Sequence, residues 1–348
     1  MSIHITELQG DGIGPELAEA VHAVADALPI DLAFDPIDWS VERREAEGDL
    51  PIDEAETSMR ANRLALKYPT VTRTRSPNAL IRRRIGFSVI YRPAISIKGI
   101  SSNFKENVNL HIVRIATGGT YDDPGQLIGR NAAVSLRMVE REPCEQAAKF
   151  AFELARKKGF TMTSSSKHTI QRVTDGLFES VVDEVHRGGY ADVPHHVELF
   201  DALLAKIILK PQDFEVILVL NEYGDFLSDM ASGLVGSLGT GASGNFSFGD
   251  DHEVDVAMFD PAGGTAPDIA GQDRANPSAI FLAFGMLLDH IDRYDLGHAL
   301  RLAVLGAIED GDTTADLGGS LRCSEFTRVV IERLSEHLPG PGSGATAG

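Results

Sequence analysis

Residues 3–28, IHITELQGDGIGPELAEAVHAVADAL, begin with a strand-like run, continue through a glycine-rich turn and end in an apolar-periodic helix. Pro15 stands in the first turn of that helix, where its missing N–H is not needed. Later apolar runs, such as LALK (64–67) and FEVILVL (214–220), alternate with helical patterns such as PCEQAAKFAFELARKKG (143–159). Strands that alternate with helices predict an α/β fold with a largely parallel central sheet.

The other patterned segments extend this prediction. Further strands are predicted over 87–93 and 109–116, and further helices over 177–189, 195–209, 278–291 and 296–311. Residues 233–251, GLVGSLGTGASGNFSFGDD, are rich in glycine and serine and are expected to form a loop. The tail, residues 339–348, has no core-forming side chains and is expected to be disordered.

Charge and composition narrow the class of protein. The chain has 348 residues, with 51 Asp and Glu against 32 Lys and Arg, a formal net charge of -19. So acidic a chain is not expected to bind nucleic acid or an anionic membrane, and a small diffusible ligand is the expected partner. Cys144 and Cys323 form no disulfide framework or metal-type spacing, and no leader or membrane-spanning run is evident. A cytoplasmic location is therefore expected.

A glycine cluster follows the first predicted strand. Gly10, Gly12 and Gly14 are spaced G-x-G-x-G, which resembles the dinucleotide-binding fingerprint without matching its G-x-G-x-x-G spacing. From the residues alone, a tight turn and a phosphate-binding loop are equally open.

Arginines are concentrated in one part of this acidic chain. They are Arg73, Arg75, Arg82, Arg83, Arg84 and Arg92, followed by Arg114 at the end of another strand-like run. Guanidinium groups bind carboxylate or phosphate through paired hydrogen bonds, and open α/β sheets bind ligands at strand ends. The cluster therefore predicts a multiply anionic ligand, with a solvated basic face as the alternative.

Two carboxylates follow the apolar run 214–220. In NEYGDFLSDM (221–230), Asp225 and Asp229 are four residues apart, which places them on one face of a helix. Carboxylates that converge at a strand end repel each other unless a cation lies between them, and Mg²⁺ or Mn²⁺ prefers such oxygen ligands. Helix capping by Asp225, with Asp229 exposed, is the alternative.

Residues 259–279, FDPAGGTAPDIAGQDRANPSA, form a glycine-rich segment ahead of a predicted helix. Backbone amides of such a loop can bind a nucleotide, and Asp268 can accept hydrogen bonds from ribose hydroxyls. An acid in that position would repel a ribose phosphate, which favours NAD over NADP. On pattern alone, the segment is only a long loop.

Together, these segments resemble the metal-dependent decarboxylating dehydrogenases, the family of isocitrate, homoisocitrate and 3-isopropylmalate dehydrogenases. The matching segments are GDGIGPE (10–16), SPNALIRR (76–83), YRP (91–93), VRIATGGTY (113–121), GDFLSD (224–229), GGTAPDIAGQDRANPSA (263–279) and TADLGGSLRCSEF (314–326). The likeness spans most of the chain. It implies an isocitrate/isopropylmalate dehydrogenase-like α/β fold, with a large cofactor-binding domain (1–92 and 240–338) and an inserted smaller domain (93–239) for substrate binding and dimerisation.

The resemblance implies a complete set of catalytic positions. Asp225 and Asp229 match the acidic pair that holds Mg²⁺ or Mn²⁺, and Asp201 matches a third acid that reaches the site from the neighbouring subunit. Tyr121 and Lys167 match the acid/base pair, and the lysine is also expected to cross the subunit interface. The resemblance thus implies a homodimer with shared active sites.

Binding residues are implied in the same way. The substrate positions are Thr72, Ser76, Asn78, Arg82, Arg92 and Arg114. The cofactor positions, in the NAD-selective form of the loop, are Gly264, Thr265, Ala266, Asp268, Ile269, Ala275, Asn276 and Asp316. The implied cofactors are NAD and Mg²⁺ or Mn²⁺.

The chain also departs from the family pattern around the expected ligands. Gly263 replaces a histidine that commonly precedes the GTAP motif, and Asp260 replaces the usual glutamate. Ile115 stands where isopropylmalate-type enzymes have glutamate, and TYDDPGQ (120–126) replaces a more familiar run. These differences leave the precise substrate open.

The leading interpretation is the NAD- and metal-dependent oxidative decarboxylation of an isocitrate-like 2-hydroxy-3-carboxy acid to a 2-oxo acid and CO₂. The segment RSPN (75–78) favours an anionic side group, carboxylate or phosphonate, because an alkyl group would leave buried donors unpaired. Homoisocitrate, 3-isopropylmalate and tartrate/malate-type substrates are alternatives. A catalytically silent regulatory subunit is an alternative from another class, although every expected catalytic position is present.

Overall fold

The structure, a computed structural model, describes residues 2–100, 102, 107–236 and 241–338, so the tail expected to be disordered lies outside the described residues. The strands are β1 (Ile3–Gln9), β2 (Leu32–Asp38), β3 (Leu64–Lys67), β4 (Val89–Ile95), β5 (Asn109–Ile115), β6 (Gln126–Ile128), β7 (Ala132–Val134), β8 (Met162–Ser166), β9 (His195–Leu199), β10 (Val216–Val219), β11 (Ala242–Phe248) and β12 (Val254–Pro261). The helices are α1 (Gly14–Asp26), α2 (Val41–Glu47), α3 (Leu50–Asn62), α4 (Pro77–Ile85), α5 (Arg141–Lys158), α6 (Thr174–Gly189), α7 (Phe200–Leu209), α8 (Asn221–Leu234), α9 (Ser278–His290), α10 (Tyr294–Glu309) and α11 (Cys323–His337). None of these helices is both long enough and apolar enough to cross a membrane.

Ten strands form one sheet in the order β2-β1-β3-β12-β11-β4-β5-β10-β8-β9, while β6 and β7 form a separate antiparallel pair. The pairings at both ends of the large sheet are parallel. The three central pairings, which join β12, β11, β4 and β5, are antiparallel. The predicted largely parallel α/β sheet is therefore confirmed.

The sheet is buried on both faces. Along β10, Val216 and Leu218 pack into one core cluster, and Ile217 and Val219 pack into another. Successive side chains of a strand point to opposite faces, so the two clusters lie on opposite sides of the sheet. This explains why the strand appears in the sequence as an uninterrupted apolar run.

The parallel strands β5, β10, β8 and β9 end at the same edge of the sheet. Arg114 lies near the end of β5, Asn221 follows β10, Lys167 follows β8 and Asp201 follows β9. Carboxyl ends of parallel strands are where α/β sheets bind ligands. The fold therefore places three of the residues that the resemblance implied, Arg114, Lys167 and Asp201, at the carboxyl ends of these strands.

Several elements differ from the sequence prediction, and three of them show why. The predicted helix 195–209 is a strand over its first five residues, because these pair with β8, and the helix begins only at Phe200. The predicted loop 233–251 contains β11, whose Asn245 donates to Asp260 Oδ1 at 3.2 Å. The strand MTSSS (162–166) was not predicted, since its serines hide its burial. In each case a tertiary partner supplies the hydrogen bonds that local patterning does not reveal.

The predicted domain boundary at residues 92 and 93 falls inside β4, and the one at residues 239 and 240 falls outside the described residues. The division of the chain into these domains therefore stays a prediction.

Candidate active site

Arg114 is buried near the end of β5 and is held by α8. Its Nε and Nη2 donate to Asn221 Oδ1 at 3.0 and 2.8 Å, and its Nη1 donates to Asp225 Oδ1. Gly224 permits this approach, because a Cβ there would lie 2.5 Å from Arg114 Cγ. Burial lowers the pKa of Arg114 to about 10 against the opposing effect of Asp225, so the guanidinium is cationic at neutral pH.

Arg92, on β4, joins the two predicted acids. Its Nη1 lies 3.8 Å from Asp225 Oδ1 and 3.6 Å from Asp229 Oδ1, and it donates to Ser228 Oγ at 2.8 Å. Both carboxylates therefore share one face of α8, as their spacing predicted. The alternative in which Asp225 caps the helix is wrong, because α8 already begins at Asn221.

Arg82, on α4, approaches the same group. Its Nε donates to Asn245 Oδ1 at 3.2 Å. Burial lowers the pKa of Arg82, Asp260 opposes that shift and Arg92 adds to it. Cations this close favour an anionic ligand between them, as the arginine-rich sequence suggested.

Three of the four remaining arginines of that segment, Arg73, Arg75 and Arg84, form ion pairs at the surface, and Arg83 is exposed. Arg73 lies 2.9 Å from Glu45, and Arg75 lies 2.6 Å from Asp49. Arg84 has acidic partners on α3. The prediction of one ligand-binding cluster is wrong for these three, because surface carboxylates already neutralise them.

Tyr121 lies next to Arg114 and Asp225. Its hydroxyl donates to Asp225 Oδ2 at 3.1 Å, and its ring centre is 5.9 Å from the Arg114 guanidinium carbon. Partial burial and the Asp225 carboxylate raise the pKa of Tyr121, so the phenol keeps its proton at neutral pH. The ring is half-exposed and remains accessible to a ligand.

Lys167 and Asp201 form a separate pair. Lys167 Nζ donates to Asp201 Oδ1 at 2.5 Å, and this hydrogen bond lowers the pKa of Asp201. Across the described ranges, no ion pair or hydrogen bond joins either residue to Asp225 or Asp229. The structure therefore brings the predicted site residues together in two groups, not one.

The acids on α8 are suited to a divalent cation. Asp225 and Asp229 supply carboxylate oxygens on one helix face, the ligand type that Mg²⁺ and Mn²⁺ prefer. In the part of the chain that the structure describes, no three His, Cys, Asp or Glu side chains gather as a metal site. One chain thus offers two of the three predicted ligands together, while Asp201 lies with Lys167.

Three polar residues predicted to bind substrate surround the start of α4. Ser76 Oγ accepts from Ala79 N at 3.3 Å and so caps the helix. Asn78 Oδ1 accepts from Thr70 Oγ1 at 3.5 Å, and Thr72 is exposed on the preceding loop. Ser76 therefore has a structural role in addition to the predicted one.

The predicted cofactor positions lie in the loop between β12 and α9 and in the loop before α11. Ile13 N donates to the carbonyl oxygen of Thr265 at 3.0 Å, and Asn276 Nδ2 donates to Asp316 Oδ2 at 2.8 Å. Asp268 is exposed, so its carboxylate is free to meet a ribose. The remaining predicted positions in the first loop are Gly264, Ala266, Ile269 and Ala275.

The glycine turn after β1 packs against this loop. A Cβ on Gly10 would lie 2.0 Å from the carbonyl oxygen of Pro69, and one on Gly12 would lie 2.0 Å from that of Thr265. Asp11 between them is turned inward and bonds Arg44. These glycines are required by backbone contacts, which favours the tight turn over a phosphate-binding fingerprint.

Two buried acids and a partly buried arginine next to the site were not predicted from the sequence. Glu222 accepts hydrogen bonds from Thr120, Asp175 accepts one from Lys167 N at 2.7 Å, and Arg137 bonds Asp175. The one available signal was Glu222 itself, a charged residue that stands shortly after a buried strand. Asp175 and Arg137 lie far from Glu222 in the sequence, and no local pattern marks either of them.

Comparison with known proteins places the chain in a family. Residues 4–330 match the family model described as isocitrate/isopropylmalate dehydrogenase, and the chain belongs to that family. It is 34% identical over 344 residues to subunit alpha of the mitochondrial NAD isocitrate dehydrogenase of Bos taurus, covering 95% of this chain and 90% of that protein. It is 35% identical over 340 residues to subunit 2 of the enzyme of Kluyveromyces lactis, with the same coverage. The crystal structure of isocitrate dehydrogenase from Methylococcus capsulatus matches with a TM-score of 0.85 at 33% identity, covering 96% of this chain and 99% of that one.

These findings confirm the predicted isocitrate/isopropylmalate dehydrogenase-like fold and the predicted enzyme class, an NAD-dependent decarboxylating dehydrogenase acting on a CH–OH group. At the level of the family, they also confirm NAD and Mg²⁺ or Mn²⁺ as cofactors.

Proposed function

We propose that this chain converts an isocitrate-like 2-hydroxy-3-carboxy acid and NAD⁺ into a 2-oxo acid, CO₂ and NADH. The observation that carries the proposal is the convergence of Arg82, Arg92 and Arg114 on Asp225, which also accepts a hydrogen bond from Tyr121. Three guanidinium groups beside a two-acid helix face suit a substrate that carries several carboxylates and binds with a metal ion. The isocitrate dehydrogenases among the relatives support the same assignment.

The substrate's side group is proposed to be anionic, either a carboxylate or a phosphonate. An alkyl group placed against buried guanidinium donors would leave them unpaired, at a cost of about 1–3 kcal/mol for each group. This argument disfavours 3-isopropylmalate. Homoisocitrate shares the anionic chemistry and differs only in chain length.

The protein supplies the places where the cofactors act. When bound, NAD accepts hydride from the hydroxyl carbon, and the divalent cation stabilises negative charge on the neighbouring oxygens. Asp225 and Asp229 would hold the cation. The loop 263–276, together with Asp316, would hold NAD.

Two side chains carry the proton transfers. Lys167, directly or through Asp201, takes the hydroxyl proton as hydride leaves the substrate. Loss of the β-carboxylate as CO₂ leaves an enolate, and Tyr121 then donates its phenolic proton to the enolate carbon. The raised pKa of Tyr121 holds that proton in place at neutral pH.

The active unit is proposed to be a homodimer with shared sites. Each site would combine Tyr121 and Asp225 of one subunit with Lys167 and Asp201 of the other. The separation of these two groups within one chain supports this arrangement.

Exposed apolar side chains support the dimer as well. Leu127 on β6 is 79% exposed, and Val173, in the loop after Lys167, is 85% exposed. Exposed apolar surface of this kind marks protein interfaces. We therefore place the dimer contact on the β6–β7 ladder and the loop 168–173.

The proposed function is tested by following NADH formation with isocitrate, homoisocitrate, 3-isopropylmalate, malate, tartrate and a phosphonate analogue of isocitrate. Each acid is assayed with NAD and with NADP, with Mg²⁺ or Mn²⁺ and with a chelator. Metal-dependent turnover of an acid with an anionic side group is expected, with NAD preferred. Binding of substrate and metal without any turnover would instead support a silent regulatory subunit.

A further inference from the structure

Asp175 is a fully buried acid in the first turn of α6, and it anchors the backbone that carries Lys167. Its Oδ2 accepts from Lys167 N at 2.7 Å and from Tyr223 OH at 3.2 Å. Its Oδ1 accepts from Arg137 Nη1. Both carboxylate oxygens are therefore engaged, which fixes the first residue after β8 relative to α6 and α8.

Glu222, in the first turn of α8, anchors the backbone that carries Tyr121. Its Oε1 accepts from Thr120 N and, at 2.8 Å, from Thr120 Oγ1. Gly119, with φ of 71°, makes this possible, because a Cβ there would lie 2.3 Å from Glu222 Oε2. The loop before Tyr121 is thus seated directly on a buried carboxylate.

Arg137, in the segment after β7, lies between these two acids. Its Nη1 bonds Asp175, its Nε lies 3.8 Å from Glu222 Oε1, and its guanidinium carbon lies 5.1 Å from the ring centre of Tyr223. The Arg137 cation holds both buried carboxylates in place, because its charge offsets the desolvation cost of each. Without Arg137, both acids would lose that partner. The two anchored loops are therefore parts of one ionic network.

We propose that Asp175, Arg137 and Glu222 are positioning residues that couple the Tyr121 loop to the Lys167 loop of the same chain. The proposal rests on the proposed function, in which Tyr121 acts in the chain's own site and Lys167 acts in the partner's site. The network then links the two active sites of a dimer. A displacement of the loop at one site is transmitted to the proton acceptor at the other.

Charge-removing variants of nearly equal size test the network. Glu222→Gln and Asp175→Asn are each expected to lower kcat about tenfold while KM for substrate and NAD stays within about threefold, because the groups orient and do not bind. Asp183→Asn is the matched control, since Asp183 lies on the same helix as Asp175 but pairs with Arg187 at the surface. A rise in both KM values without a fall in kcat would overturn the positioning role.

A mixed dimer tests the coupling itself. One chain carries Lys167→Ala and its partner carries Asp225→Ala, which leaves one complete site, built from the first chain's Tyr121 and the partner's lysine. Glu222→Gln is then added to the partner, whose own Tyr121 belongs to the inactive site. Turnover at the one complete site is expected to fall about threefold or more, because the substitution can affect that site only through the ionic network. An unchanged rate at this site, with a slowed Glu222→Gln homodimer, would overturn the coupling.

The reactivity of the Lys167 amine gives a readout that needs no turnover. Its acylation by a small reagent, followed by mass spectrometry, is expected to change about threefold or more in Glu222→Gln and to stay unchanged in Asp183→Asn. If the parent mixed dimer is inactive but this rate responds, the shared site is wrong and the loop coupling stands. If the parent mixed dimer is active but this rate does not respond, the coupling is wrong.

Discussion

Two sets of predicted site residues, the group around Asp225 and the pair formed by Lys167 and Asp201, differ in their exposure and in the hydrogen bonds that a single chain provides for them. The Arg114 side chain is 5% exposed and donates hydrogen bonds to both Asn221 and Asp225, whereas the side chains of Lys167 and Asp201 are 31% and 68% exposed and share one ion pair. In the first group, three arginines meet two aspartates, whereas in the second one lysine pairs with one aspartate nearer the surface. Under the proposed function, one chain would therefore prearrange the anion-binding and metal-binding part of a site and supply its proton acceptor to the site of another copy.

Removing the outward-facing amine should have the largest effect. Lys167→Ala is expected to lower kcat about 10³-fold with the fold retained, because general acid–base groups contribute about 10²–10⁴-fold. Lys149→Ala is the control, since that lysine pairs with Glu145 on its own helix. Steady-state rates of both variants measure the loss of kcat, and thermal unfolding shows whether the fold is retained. A Lys167→Ala enzyme of nearly normal turnover would remove the residue from the reaction.

Arg114→Met should disrupt the group around Asp225. The variant leaves Asp225 and Asn221 without their shared donor, and we expect kcat/KM for the substrate to fall about 100-fold, mainly through KM. Arg75→Met is the comparison, because Arg75 belongs to the same arginine-rich part of the chain but pairs with Asp49 at the surface. Equal effects of the two substitutions would show that burial does not distinguish the binding arginines from the surface ones.

The dimer contact can be weakened without touching either group. Leu127→Asp, on the exposed β6–β7 ladder, is expected to raise the dimer dissociation constant about tenfold or more, because it places a charge in an apolar contact. Activity should then fall on dilution. Leu302→Asp, on the outer face of α10, is the control. Sedimentation of a fully active monomer would contradict the shared site.

The smallest effect is expected in a region that belongs to neither group. His22 Nε2 lies 2.8 Å from Glu7 Oε1, and this hydrogen bond raises the pKa of His22 against the effect of burial. The stabilisation is therefore fully present below the ordinary histidine pKa and is lost as pH rises through the raised value. His22→Gln should cost about 1 kcal/mol or less, since His22 is half-exposed.

Thermal unfolding of the His22→Gln variant and of the unchanged protein at pH 6 and pH 9 checks the sign of that effect. The gap between the two melting temperatures should be larger at pH 6, and kcat should not change at either pH. A gap that grows at pH 9 would show that the ion pair with Glu7 is not its origin.

The sequence predicted a strand where the strand's own residues are apolar, and it failed where buried polar residues bond side chains elsewhere in the chain. The run VILV in β10 is buried on both faces, so its apolar character alone identified a central strand. The strands MTSSS (162–166) and ASGNFSF (242–248) were missed because their buried serines and asparagine bond side chains elsewhere in the chain. Local periodicity cannot report a partner that the fold supplies.

The same limit applied at the site. The spacing of Asp225 and Asp229 predicted a shared helix face, and Arg92 reaches both. The spacing of the arginines in the sequence could not show that Arg82 lies in the site and Arg75 at the surface. That difference depends on which side of the molecule each helix or loop faces. Asp175 was missed for a related reason, since two of its partners, Arg137 and Tyr223, come from distant segments.

The most direct test of the central claim compares two ways of distributing the same two substitutions. Lys167→Ala and Asp225→Ala chains, each inactive alone, are mixed and allowed to exchange subunits. A shared site predicts that about a quarter of the wild-type activity returns, because half of the dimers then hold one complete site. With both substitutions on one chain, pairing with a wild-type chain should yield heterodimers without activity. Recovery in the second experiment and none in the first would show that each site lies within a single chain.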